Sequence, residues 1–103
     1  ESQWTRAKGF DTFCPLGPWI ETELDTTDLL ITCKVNGELR QMASTKEMIF
    51  PVPQIVSFVS NIMTLVPGDV ILTGTPAGVG ILEPGDKVDI TIEGIGSLSN
   101  PVN

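Results

Sequence analysis

Histidine is missing from all 103 residues, and this absence removes more chemistry than any residue present adds. No Ser-His or Cys-His nucleophile can be assembled from such a chain. The general bases that remain are carboxylates, lysine, or a water on a hard cation held by two or three acidic ligands. Cysteine is scarce as well: Cys14 and Cys33 have no C-x-x-C spacing and no histidine to complete a soft metal site, so reduced, cytosolic thiols are expected. Positive charge is thin, with six bases against thirteen acids and a net charge of −7. The bases lie scattered at Arg6, Lys8, Lys34, Arg40, Lys46 and Lys87, which excludes a nucleic-acid partner as the leading reading. No long apolar run occurs. The most apolar window, Val52 to Val66, is broken by Gln54, Ser57, Ser60, Asn61 and Thr64 and is too short for a bilayer, so a soluble, cytoplasmic protein with no membrane partner is expected. An initiator Met and a leader are also lacking at Glu1-Ser2-Gln3-Trp4, as expected for part of a longer protein or a processed product.

What is present reads as strands and turns. The chain is 41% hydrophobic and 18% charged, and its ten glycines and eight prolines mark many corners within one domain at most. A chain of this length should bury roughly two-thirds of its unfolded surface in a modest core. Ile31, Cys33 and Val35 alternate with Thr32 and Lys34 ahead of Asn36-Gly37, which predicts a hairpin over Leu29 to Thr45 with a type I′ tip. Between Pro53 and Met63 the period becomes helical, with Ile55, Val59, Ile62 and Met63 on one core-facing side. Val70 to Thr73 is expected to be a buried strand, and Lys87 to Glu93 a half-exposed one that turns at Gly94-Ile95-Gly96. The fold class is therefore mainly β with one short helix.

The stretch with the most to say is Thr73-Gly74-Thr75-Pro76, which ends an apolar run and lies between Pro67-Gly68-Asp69 and Pro84-Gly85-Asp86. Two hydroxyls and a glycine at a strand end gather donors suited to a carboxylate or an enolate oxygen. They also suit a plain turn, and spacing alone favours the turn. Asp69 and Asp86 read as turn residues whose side chains bond nearby backbone N–H groups. Glu21, Glu23, Asp25 and Asp28 read as a solvated connecting loop rather than a cation site. Lys8, in Lys8-Gly9-Phe10-Asp11-Thr12, is either a surface lysine or a charge able to neutralise a developing enolate. Pro15-Leu16-Gly17-Pro18-Trp19 fixes an irregular path that Trp19 should anchor against the sheet.

These blocks together resemble the fumarylacetoacetate hydrolase family. The likeness is carried by Lys8 to Thr12 with Pro15 to Trp19, Val35 to Glu38 with Arg40-Gln41, Met48-Ile49-Phe50, and Pro67 to Pro76 with Gly78-Val79-Gly80. It runs from about Trp4 to Val102 and corresponds to the C-terminal portion, half or less, of one catalytic domain. The resemblance implies a distorted, mixed β-roll, Mg²⁺ or Mn²⁺ held by carboxylates, and a homodimer. The implied substrates are 2-oxo or 1,3-dicarbonyl acids. Members hydrolyse C–C bonds of acylpyruvates or fumarylpyruvate, decarboxylate oxaloacetate-like diacids, or isomerise 2-hydroxyhepta-2,4-diene-1,7-dioate, all through an enolate that the cation stabilises as a Lewis acid.

By the same resemblance Lys8 matches the family lysine beside the metal and is the catalytic candidate, acting by its charge because an ammonium cannot ligate Mg²⁺. Thr12 falls in the metal neighbourhood, reaching the ion through backbone, hydroxyl or bridging water. Thr75 matches the threonine that contacts the substrate carboxylate, Gly74 allows close backbone approach, and Thr73 supports the loop. The family's Glu-x-Glu pair, later Asp and catalytic histidine precede the lysine and are not in this sequence, so the chain alone is expected to be inactive without the rest of its domain. A non-catalytic binding or structural module that kept the fold is the alternative.

Overall fold

A computed structural model describes residues 2–103. Four antiparallel strands form one sheet in the order β2-β1-β3-β4, built from β1 (Leu30–Val35), β2 (Glu38–Ser44), β3 (Lys87–Ile92) and β4 (Gly96–Pro101). Two local hairpins make it, and β1 joins them by pairing with β3 from Ile31↔Ile92 to Val35↔Val88. The first turn forms as expected: Asn36 at φ 53° and Gly37 at φ 82° supply the two positive torsions that a type I′ turn demands. A single-turn 3₁₀ helix (Thr45–Glu47) follows β2, closed by a capping box between Ser44 and Glu47. The expected helix is α2 (Val52–Ile62), with proline in its first turn where a missing N–H costs nothing. A second, five-residue helix, α1 (Trp4–Lys8), adds to the one the sequence indicated; it is too short to show a periodic signal.

Both Pro-Gly-Asp corners use their aspartate in the same way. Asp69 Oδ2 accepts from the Val66 N–H at 2.8 Å, and Asp86 Oδ2 accepts from the Glu83 N–H at 2.9 Å. Asp86 also accepts from the Asn36 side-chain amide at 2.8 Å, while Asn36 Oδ1 accepts from the Lys87 N–H at 2.9 Å, so the hairpin tip is tied to the entry of β3. The Glu83 backbone donor first, and the Asn36 amide second, hold the Asp86 carboxyl below its ordinary pKa. A lowered folded-state pKa stabilises the fold above the unfolded aspartate value, and that contribution is lost as pH falls through the folded value. Asp86→Asn should therefore lower the urea midpoint at pH 7, with the gap from wild type closing as pH drops below the usual aspartate range. A gap that persists undiminished at strongly acid pH would remove this carboxylate from the balance.

Two expectations are corrected. Val70 to Thr73 forms no strand: it makes no ladder pairing among the described residues, and Val70 and Leu72 are exposed. A strand needs a backbone neighbour, and this segment has none; the chain is fastened to β2 only after it, at Thr75 and Ile81, and by side chains. The modest core is also absent. Only Leu29 and Val35 are buried among the apolar residues, and Ile62 and Met63 on the stripe of α2 are 64% and 57% exposed. The solvent-accessible surface is 8367 Å². A compact 11.1 kDa protein exposes only about 5,700 Å². Trp19 does reach the sheet, its ring lying against Gly96 at the start of β4, yet it stays 54% exposed.

Candidate functional site

The apolar series of the sheet shares one face. Ile31 and Cys33 of β1 stand opposite Ala43 and Gln41 of β2, and Cys33 stands opposite Ile90 of β3. Over this face lies the segment Thr73 to Ala77, and between them opens a cavity of about 710 Å³. Gly74 and Thr75 line it, so the loop is part of a pocket as well as a turn. Met48, Ile49 and Phe50 wall the far side, following the 3₁₀ helix that redirects the chain after β2.

A β-bulge fastens the loop. Cys33 pairs with Gln41 but the next residue, Lys34, pairs with Leu39, which leaves Arg40 as the extra residue in β2. In a regular strand consecutive side chains point to opposite faces, and a bulge re-aims them. Arg40 and Gln41 accordingly reach the same loop. The Gln41 amide donates to Thr75 Oγ1 at 2.8 Å and to the Pro76 carbonyl at 3.0 Å, and the Arg40 guanidinium donates to the Ile81 carbonyl at 3.2 Å. Gly78, at φ 103°, presses against the same strand so closely that a Cβ there would collide with the Arg40 carbonyl oxygen. Gln41 is the residue that sequence reasoning passed over. Its signal was a polar side chain sharing the parity of Ala43 in β2.

The other candidates lie elsewhere. Lys8 ends α1, with its ammonium 4.1 Å from the centre of the Trp4 ring, a cation–π contact at an exposed site. Thr12 has a positive φ of 69° in the turn that follows. Neither lines the cavity. The acidic stretch behaves as a loop: Asp25 Oδ1 accepts from the Thr27 hydroxyl and N–H, and those two donors lower its pKa. Among the described residues no three Asp, Glu, His or Cys side chains converge, so the residues of this chain do not by themselves fit a divalent cation. Cys14 and Cys33 are both free thiols. No helix among the described residues is long and apolar enough to cross a membrane.

The fold has close counterparts. The family model described as fumarylacetoacetate (FAA) hydrolase C-terminal matches residues 1–103, and the chain belongs to this family. The crystal structure of a 5-carboxymethyl-2-hydroxymuconate delta-isomerase from Mycobacterium smegmatis superposes with a TM-score of 0.94 at 58% identity, over 97% of this chain and 40% of that one. A maleylpyruvate hydrolase from Sphingobium sp. SYK-6, in complex with manganese(II) ion and pyruvate, gives a TM-score of 0.86 at 43% identity, over 90% of this chain and 36% of that one. An oxaloacetate tautomerase, FAHD2B, mitochondrial, from Bos taurus is 46% identical over 97% of this chain and 35% of its own length. The chain thus spans about 40% of the length of the curated relatives it matches. The family contains hydrolases, isomerases and tautomerases, and one solved member holds Mn²⁺.

Proposed function

We propose that this chain is the substrate-gripping part of an enzyme acting on 2-oxo or 1,3-dicarbonyl carboxylic acids. The observation that carries the reading is Thr75, held by Gln41 at the mouth of a 710 Å³ cavity whose walls are mostly apolar. Such a pocket matches an acid with a carboxylate head and a carbon chain, with the hydroxyl meeting the head and the sheet face meeting the chain. Gly74 keeps the backbone open beside Thr75, and Thr73 continues the same wall. Lys8 supplies positive charge toward the negative charge that develops on the substrate oxygen. The related proteins that act as hydrolase, isomerase and tautomerase share the need to stabilise that charge, which supports C–C hydrolysis, isomerisation, tautomerisation or decarboxylation as the reaction class.

The cation, Mg²⁺ or Mn²⁺, belongs in this reading to residues outside the chain, with Thr12 in its neighbourhood. When bound it supplies Lewis acidity to the substrate's oxygens. The remainder of the same domain is the proposed cover for the apolar sheet face. The roughly 2,700 Å² of surface in excess of a compact protein is several times the ~800 Å² that each partner contributes to an ordinary complex. The finished domain is proposed to work as a cytoplasmic homodimer, a setting that suits its two free thiols.

The test uses the full-length protein with Mg²⁺ or Mn²⁺ against an acylpyruvate, fumarylpyruvate, oxaloacetate and 2-hydroxyhepta-2,4-diene-1,7-dioate. Turnover of at least one is expected, and Thr75→Val should raise its KM about tenfold or more while kcat changes little. An unaltered KM would reduce the loop to a turn. The second reading is a non-catalytic binding module that keeps the fold and the pocket. It wins if pyruvate binds while nothing in the panel is turned over.

A further inference from the structure

We infer that Gln41 is a positioning residue: it fixes the Thr75 hydroxyl as a donor aimed away from β2, so the pocket selects ligand groups that can only accept, above all a carboxylate. The inference rests on the reading of Thr75 as the substrate contact and deepens it. The first step is the orientation of the Gln41 amide. A backbone carbonyl only accepts, so the Gln41 atom 3.0 Å from the Pro76 oxygen must be the nitrogen. The same nitrogen lies 2.8 Å from Thr75 Oγ1, and an amide nitrogen only donates. Both of its N–H groups are therefore committed, one to each oxygen. Thr75 Oγ1 must then accept from Gln41, which turns its own hydrogen elsewhere. No acceptor among the described residues takes that hydrogen, and Thr75 lines the cavity.

The second step is rigidity. Gln41 is placed by a strand and a bulge, and the adjacent Arg40 grips the same loop at Ile81, so the loop is held at two points along β2. A hydroxyl that could rotate would serve donors and acceptors alike. One whose oxygen already accepts from Gln41 presents its hydrogen to the cavity, so a ligand acceptor finds a ready donor while a ligand donor finds only the one remaining lone pair.

The experiment measures pyruvate binding by calorimetry on the full-length protein with Mn²⁺, in a double-mutant cycle of Gln41→Met and Thr75→Val. Each single variant should weaken binding about tenfold, and the double variant should bind no more weakly than Thr75→Val alone, since Gln41 acts through that hydroxyl. Gln41→Glu, which offers an acceptor and lets the hydroxyl hydrogen turn back toward the strand, should weaken pyruvate more than Gln41→Met. It provides the same readout if the methionine variant does not fold. Unchanged binding in Thr75→Val overturns the substrate contact itself. Loss in Thr75→Val with none in the Gln41 variants overturns the role of Gln41 and leaves the contact standing. Equal losses from Gln41→Met in both backgrounds also overturn it, since Gln41 would then touch the ligand independently.

Discussion

Lys8→Ala in the full-length protein is expected to lower kcat by roughly 10²- to 10³-fold, the scale of removing one charge-stabilising group from a transition state. KM should move far less, and the unfolding midpoint hardly at all. Lys8 ends a five-residue helix with no buried residue, and its ammonium lies over a Trp4 ring that is itself 69% exposed. A cation–π contact at such a site is worth about 0.5–1 kcal/mol, so its loss cannot account for a thousandfold change in rate. The ammonium is also held too weakly there to stay if a developing anion comes within reach. Unchanged turnover would leave Lys8 as the cationic partner of Trp4 and nothing more.

The second large effect is expected at Gly78. Gly78→Ala meets two penalties, a positive φ of 103° that costs an alanine about 1–2 kcal/mol and a collision with the Arg40 carbonyl oxygen. Overpacking of that kind adds about 1–3 kcal/mol, or the loop lifts away from β2. Lifting separates Thr75 from Gln41, so stability should fall by about 2–5 kcal/mol and KM should rise together with it. Gly74→Ala is the control, because Gly74 also has a positive φ, 104°, but no atom within 4 Å of an added Cβ. In stability it should pay the torsional cost alone. Equal losses of stability in the two variants, read by urea unfolding, would mean that the loop is not pressed against the strand.

The first hairpin, β3 with the turn after it, both Pro-Gly-Asp corners and α2 were legible in the sequence because their determinants are local: Asn36-Gly37 for a turn, a period of two for β1 and β3, Asp69 and Asp86 reaching back three residues; β4 was not. Thr75 and Gly74 were legible as loop residues, and the cavity beneath them supports more than a turn. The failures concern relations between distant segments. Whether Val70 to Thr73 becomes a strand depends on a neighbour that no local pattern reveals. The same holds for the stripe of α2, which is apolar at the right spacing yet only half-covered, with Ile55 and Val59 half-buried and Ile62 and Met63 exposed. The bulge at Arg40 was invisible because register is decided across two strands, and without it the joint role of Arg40 and Gln41 cannot be read.

The order of the strands has a consequence for how such a protein diversifies. Each hairpin closes through its own short turn, and the two meet only along β1 and β3. The pocket walls that do not belong to the sheet, Thr45 to Phe50 and Thr73 to Ala77, are strung between them on one long excursion over residues 45–86. Insertions and replacements in that excursion leave all three strand registers intact, and loop entropy charges little for added length. The excursion can therefore be recut while the sheet keeps its pairing, with Arg40 and Gln41 as the hooks on which the loop is hung.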